Sequence, residues 1–137
     1  MIQIIAGKKG KGKTKHLLDK VNAEVKEVHG NIVYLDKSSK HMYELKVRLI
    51  DTSEFGLSSS DGFIGFICGI ISQDHDLEQM YLDSFLKIAK LEDADITETI
   101  DKLDELGEKY NITFVLSISL DADDLPENAK SKVIVSL

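Results

Sequence analysis

Residues 7–14 place glycines, lysines and a threonine at spacings that suit the binding of a phosphate chain. The stretch reads GKKGKGKT, so that Gly7, Gly12, Lys13 and Thr14 fill the fixed positions of the pattern G-x-x-x-x-G-K-[ST]. Glycines let the backbone curl until successive N–H groups point at one anion. In this pattern the lysine reaches the β and γ phosphates, and the threonine hydroxyl takes one position on Mg²⁺. Residues 7–14, called here the glycine loop, therefore predict a polyphosphate site.

The glycine loop and the residue after it carry five lysines, although the chain has a formal net charge of -7. Lys13 fills the fixed position and is the candidate catalytic lysine. For Lys8, Lys9 and Lys11, which occupy variable positions of the pattern, the alternative to phosphate contact is plain exposure that merely adds positive potential near the phosphates. A plain surface turn is the alternative for the whole segment. We predict that the nucleotide contacts Gly7, Lys8, Lys9, Gly10, Lys11, Gly12, Lys13, Thr14 and Lys15.

The elements that flank the glycine loop are a predicted buried strand and a predicted helix, as the phosphate-binding mechanism requires. IQIIA is short and apolar and is followed at once by glycine. Leucines and valines at near-helical spacing predict a helix over about residues 13–29. NIVYLD predicts a second strand that ends at Asp36, and QMYLD predicts a later strand that ends at Asp83.

The rest of the chain continues the alternation of strands and helices. We predict a short helix over about 38–45, a helix that is buried on more than one side over 61–73, and an amphipathic helix over 95–110. KVRLID, NITFVLSISL and KVIVSL predict three further strands. Continuously apolar strands that alternate with helices indicate a parallel sheet covered on both faces. The sequence therefore predicts one α/β domain, residues 1–137, with three layers and a mostly parallel sheet of five to six strands.

Two carboxylates end predicted strands and are candidates for chemistry beside the glycine loop. A site of this kind needs a second Mg²⁺ ligand, normally an Asp at the carboxyl end of an apolar strand. Asp83 in MYLDSF fits this requirement, so we predict that Thr14 and Asp83 hold the metal. Asp36 is the candidate catalytic or water-positioning carboxylate. The alternative for Asp36 is an ordinary residue at the end of a strand, or one that contacts the ligands of Mg²⁺ but not the ion.

On these residues the chain resembles a P-loop NTPase, and among these the RecA-like group, over essentially its whole length. YLDKSS is similar to the acidic motif that follows the P-loop helix, and MYLDSF is similar to a Walker B strand. VLSISL offers Ser117 or Ser119 as a polar sensor. Small bacterial single-domain proteins of this kind are sometimes labelled twitching-motility (pilus-retraction) ATPases. The resemblance implies a three-layer P-loop fold, with ATP and Mg²⁺ as cofactors.

Two departures from that group bear on the predicted activity. ATPases of this type place a glutamate after the Walker B Asp or at the end of the neighbouring strand, where this chain has Ser84 and Ser38. The only arginine is Arg48, for which we predict a structural ion pair, whereas phosphoryl-transfer enzymes use several guanidinium groups. We therefore predict Mg²⁺-dependent ATP binding with slow or partner-dependent ATPase activity. The alternatives are a small-molecule, nucleoside-type kinase and a non-hydrolysing nucleotide-dependent binding or switch module.

The amino-acid composition indicates which partners and which cellular compartment to expect. With 24 acidic and 17 basic residues, the chain repels polyanions, which argues against a nucleic-acid partner. Cys68 is the only cysteine, so an intramolecular disulfide is excluded, and a reducing cytoplasm is the expected location. The longest apolar patch, FIGFICGII, has about half the length that a membrane crossing needs. The expected partners are a nucleoside triphosphate and either a second copy of the chain or another protein.

Overall fold

A six-stranded sheet forms the centre of the molecule, and all of its strand pairs are parallel. The computed structural model describes residues 1–137. The strand order across the sheet is β3-β2-β4-β5-β1-β6. The predicted α/β class and the predicted parallel sheet are confirmed, with six strands. The strands are β1 (Ile2–Ala6), β2 (Asn31–Asp36), β3 (Arg48–Asp51), β4 (Leu77–Leu82), β5 (Thr113–Ile118) and β6 (Val133–Ser136).

Helices lie on both faces of the sheet because the chain crosses it in two directions. The connections after β1 and β2 run toward the β3 edge, whereas the later ones run toward the β6 edge. Since crossovers between parallel strands are right-handed, the two sets lie on opposite faces. No helix has the length and the apolar character of a membrane span. The helices are α1 (Lys13–Glu24), α2 (Ser60–Ser72), α3 (Phe85–Ile88), α4 (Thr97–Tyr110) and α5 (Glu127–Lys130).

Two apolar clusters, one on each face, join the helices to the sheet. On the first face, Leu17 and Val21 of α1 pack with Tyr34 and other sheet residues. On the second face, α2 and α4 contribute buried apolar residues to a larger cluster with the opposite side of the same strands. This arrangement is consistent with the predicted three layers. The helical residues of the second cluster include Phe63, Ile67, Ile71, Ile100 and Leu103.

Several local predictions were wrong. Helix α1 ends at Glu24, earlier than predicted. The residues after it form tighter turns that keep Val25 and Val28 against the core. The apolar spacing in the sequence therefore extends beyond the end of the helix. The predicted helix at 38–45 is a single 3-10 turn, Met42–Glu44. Helix α2 is not buried on more than one side, because no element covers the side that carries Cys68. The short helices α3 and α5 have no counterpart among the predicted elements.

The strand register aligns the carboxyl ends of the central strands at a common level. Leu35 pairs with Leu82, and Leu82 pairs with Leu116, so the residues that follow these three leucines lie at one level near the carboxyl ends of the strands. Side chains alternate between the faces along a strand. Because these three leucines belong to the cluster on the α2 side, the residues that follow them face the α1 side. Those residues are Asp36, Asp83 and Ser117.

Candidate functional site

The glycine loop follows β1 without interruption and curves into the first turn of α1. Gly10 and Gly12 have φ angles of 86° and 87°, which residues with a Cβ rarely adopt. Gly7 is required for a different reason, because a Cβ there would lie 2.9 Å from Leu137 Cβ. Gly12 supplies no side-chain cap to α1, so the N–H groups of the first turn have no side-chain acceptor. This end of α1 is therefore suited to an anion.

Lys13 is the only lysine of the glycine loop that is buried, with 8% of its surface exposed. Its ammonium group donates a hydrogen bond to the carbonyl oxygen of Lys8 at 3.1 Å. Burial lowers the pKa of Lys13, and the negative charge of Asp83 opposes this effect. The ammonium group is therefore held within the loop, in the electrostatic field of the Asp83 carboxylate.

Asp83 is 2% exposed, and its carboxylate accepts four hydrogen bonds. The hydroxyls of Thr14 and Ser117 donate to Oδ1 at 3.3 and 2.6 Å, and the N–H group of Ser84 donates to the same atom at 2.9 Å. The Tyr34 hydroxyl donates to Oδ2 at 2.7 Å. Burial, with Asp83 as the next cause, raises the pKa of Tyr34, which stays protonated. The carboxylate is thus fixed in one orientation beside Thr14.

The contact between Thr14 and Asp83 fits a Mg²⁺ site. Their oxygens are 3.3 Å apart. Neighbouring ligands of an octahedral ion with bonds of 2.0–2.1 Å lie about 2.9 Å apart, so a small adjustment would suit both oxygens. The structure contains no group of three or more His, Cys, Asp or Glu side chains that could hold a metal. Two protein ligands suffice for Mg²⁺, because this ion usually keeps several waters and binds substrate phosphates.

Asp36 lies at the end of β2, next to Asp83 in the sheet, but it does not line the cavity described below. Its side chain is 3% exposed, and Oδ1 accepts a hydrogen bond from the N–H group of Lys37 at 2.7 Å. Burial, with the Asp83 carboxylate as the next cause, raises the pKa of Asp36 to about 6. Asp36 is therefore a weaker acid than an exposed aspartate, and its carboxylate is bonded to the backbone N–H group of the next residue.

A cavity of about 480 Å³ opens between the glycine loop and the carboxyl ends of the strands. The segment 84–94, which includes α3, forms another of its walls. Three carboxylates line the cavity: that of Asp83, and those of Glu92 and Asp93, which are exposed residues of the segment 84–94. Lysines from separate parts of the chain line it and give it a cationic character. They are Lys9, Lys13, Lys37 and Lys87.

Not every residue predicted to contact the nucleotide lies on this cavity. Lys9, Gly10, Gly12, Lys13 and Thr14 line it. Lys8 instead forms an ion pair with Asp121 at 3.5 Å, and Lys15 pairs with Asp19 at 3.0 Å. Gly7 and Lys11 are also outside its lining.

The two serines of the predicted sensor strand occupy different positions. Both line the cavity, but the hydroxyl of Ser117 donates to Asp83, while Ser119 forms no side-chain hydrogen bond. Ser84 and Ser38 stand where the ATPases that the sequence resembles carry glutamate. Ser84 adopts a φ of 54°, unusual for a residue with a Cβ, and its N–H group bonds to Asp83 Oδ1 and to Ser117 Oγ.

The sequence interpretation missed Tyr34, Lys37 and Lys87, and it also missed the cavity carboxylates Glu92 and Asp93. Lys37 directly follows the strand that ends at Asp36, so the rule that ligands bind at the carboxyl ends of parallel strands could have indicated it. No sequence pattern marks Tyr34 or Lys87. Their places depend on the pairing of β2 with β4 and on the course of the segment 84–94.

Arg48 lies away from the site, and its predicted structural ion pair was wrong. No acidic side chain lies within the 4 Å that defines an ion pair with its guanidinium group. Arg48 lines a larger, open groove of about 950 Å³ between α2 and the strands β2 and β3. That groove contains neither the glycine loop nor Asp83, so it is not the candidate phosphate site.

No protein-family model and no curated protein matches the chain. The geometry of the cavity and its lining therefore provides the basis for a functional assignment.

Proposed function

We propose that the chain is a P-loop protein of the RecA-like type that binds a nucleoside triphosphate, ATP in the simplest case, together with Mg²⁺. The observation that carries this proposal is the meeting of Lys13, Thr14 and Asp83 at one cavity beside the glycine loop. The topology supports it. Connections after the neighbouring strands β2 and β4 run to opposite edges of the sheet, and ligands of parallel α/β proteins bind at such switch points.

Several residues of the cavity have a role in this proposal. The amides of the glycine loop and of the first turn of α1 would contact the phosphates. The ammonium group of Lys13 would leave the Lys8 carbonyl for the β and γ phosphates. Thr14 and Asp83 would hold Mg²⁺, which neutralises phosphate charge when it is bound. Lys37 and Lys87 would add positive potential in a chain whose single arginine lies elsewhere.

Hydrolysis is proposed to be slow, or to depend on a partner. Ser84, not a glutamate, follows Asp83, and Asp36 is bonded to the Lys37 N–H group outside the cavity. A general base must lie within hydrogen-bond reach of the attacking water, directly or through one further water. The position of Asp36 also favours the second candidate function, a nucleotide-dependent binding module without turnover. In either case the nucleotide site is the same.

Calorimetric titration with ATP, with and without Mg²⁺, tests the proposal on the wild-type chain and on Lys13→Ala. We expect saturable binding that Mg²⁺ strengthens, and a loss of at least about tenfold in affinity for the variant, since charge-assisted hydrogen bonds contribute about 1.5–3 kcal/mol. Lys20→Ala is the matched control. It lies on the same helix and pairs with Glu24 at 3.6 Å, outside the cavity, so its affinity should equal that of the wild type.

The outcomes of this titration separate the alternatives. The proposal is refuted if the wild type shows no saturable binding, or if Lys13→Ala binds ATP as the wild type does. Phosphate release measured in the same samples separates an ATPase from a binding module. A phosphorylated product that forms only when a nucleoside is added would identify the kinase alternative.

A further inference from the structure

The hydroxyl of Tyr34 is the only hydrogen-bond donor to Oδ2 of Asp83. It donates at 2.7 Å from a fully buried side chain, whereas the three other donors all contact Oδ1. We propose that Tyr34 is a positioning residue for Mg²⁺ binding, because its hydroxyl holds the Asp83 carboxylate with Oδ1 beside the Thr14 hydroxyl. This inference rests on the proposed function, since it concerns the same nucleotide site.

The carboxylate is held from both neighbouring strands. Asp83 directly follows β4, which lies between β2 and β5 in the sheet. Tyr34 approaches it from β2, and Ser117 approaches it from β5. A rotation of the carboxylate would break the bonds on both sides at once. Without the Tyr34 hydroxyl, Oδ2 has no partner and only the Oδ1 side is fixed.

The orientation matters because Mg²⁺ demands near-ideal octahedral geometry. A carboxylate that turns freely must be ordered when the ion binds, whereas a carboxylate that is already fixed requires no such ordering. Residues that hold a metal ligand in place typically account for about 10–100-fold in metal affinity. We therefore expect the Tyr34 hydroxyl to act on Mg²⁺ affinity and not on the contacts between phosphates and the glycine loop.

Tyr81 provides a matched control inside the same cluster. Its ring is stacked on that of Tyr34, with centroids 6.1 Å apart and an angle of 9° between the planes. It is equally buried, and its hydroxyl donates to Gln79 Oε1 at 2.8 Å, so it has no bond to Asp83. Tyr81→Phe therefore removes the same atom from the same face of the sheet. A purely structural role would give the two variants the same behaviour.

The test is a titration of Mg²⁺ into protein that is saturated with ATP, beside an ATP titration in the presence of a chelator. For Tyr34→Phe we expect the Mg²⁺ dissociation constant to rise about tenfold, and ATP affinity without Mg²⁺ to stay within about twofold of the wild type. For Tyr81→Phe we expect neither constant to change by more than about twofold. Equal Mg²⁺ affinity in Tyr34→Phe and the wild type would overturn the inference, as would an equal loss in both variants.

A second measurement needs no substitution and covers the case in which Tyr34→Phe fails to fold. The wild-type chain has four tyrosines, and ¹³C labelling at Cζ reports on each hydroxyl. On addition of Mg²⁺ to the ATP-saturated protein, we expect the Tyr34 resonance to shift and the Tyr81 resonance to stay. An unchanged Tyr34 resonance overturns the inference while ATP binding, and with it the proposed function, stands. If ATP does not bind to the wild type at all, the proposed function and the inference about Tyr34 fail together.

Discussion

Replacement of Asp36 by asparagine should stabilise the protein at neutral pH. The Asp36 carboxyl is 3% exposed and lies near the Asp83 carboxylate, and these two causes raise its pKa from 3.8 to about 6. At 1.36 kcal/mol for each unit, the ionised form costs the folded state about 2–3 kcal/mol. Asparagine keeps the size of the side chain and an oxygen that accepts the hydrogen bond from Lys37, but it carries no charge.

The pH dependence gives the sign of the effect. Because the pKa is raised in the folded state, that state binds a proton more tightly than the unfolded chain between about pH 4 and pH 6. The contribution of Asp36 to stability is therefore present at acid pH and is lost as the pH rises through this window. The asparagine side chain of the variant does not titrate. The stability of the Asp36→Asn variant relative to the wild type should accordingly increase from about 0.5 kcal/mol at pH 4 to about 2–3 kcal/mol at pH 7.

Urea unfolding at pH 4, 5, 6 and 7, followed by far-ultraviolet circular dichroism, measures this difference. Asp123→Asn is the control, because it makes the same change at an exposed carboxylate, and it should alter stability by less than about 0.5 kcal/mol at each pH. A difference between Asp36→Asn and the wild type that is constant from pH 4 to pH 7 would show that the folded state does not perturb Asp36. A variant that is less stable than the wild type at pH 7 would refute the reasoning as well.

Two further predictions concern packing and the charge of the cavity. Gly107→Ala should reduce the free energy of unfolding by about 1–3 kcal/mol in urea titrations, because the new Cβ would lie 2.8 Å from the carbonyl oxygen of Ile112. Wild-type stability in this variant would show that the contact is not tight. Lys37→Ala should weaken ATP binding about fivefold at low ionic strength and less at 0.5 M salt, because Lys37 lines the cavity and has no ion-pair partner. Equal losses at both salt concentrations would contradict an electrostatic role.

The sequence predicted those parts of the site that are marked by residues close together in the chain. An apolar strand, glycines at the positions of tight curvature and a helix that begins at Lys13 all lie within one short stretch, and the structure contains each of them. The placement of Asp83 at the end of its strand also needed only the chain around it. Its contact with Thr14 could be expected because the carboxyl ends of parallel strands share one edge.

The parts that were missed depend on contacts between distant segments. Tyr34 and Asp83 are 49 positions apart, and only the pairing of β2 with β4 brings the hydroxyl to the carboxylate. The exposure of one side of α2 has the same origin. Its apolar residues indicate a helix that could be buried all round, but whether another element covers Cys68 depends on the topology. Likewise, the register decides that Asp36 lies beside Asp83 and away from the cavity wall.

The most direct test of the proposed function is the backbone amide spectrum of the ¹⁵N-labelled protein during titration with ATP and Mg²⁺. If the cavity binds the nucleotide, saturable shifts should be largest for the amides of residues 10–15, with further shifts at Ser84 and Lys37. The amides around Arg48 and Ile70, in the open groove beside α2, should stay in place. Shifts confined to that groove, or no saturable shift at millimolar ATP, would contradict the proposal that the glycine loop and Asp83 form a nucleotide site.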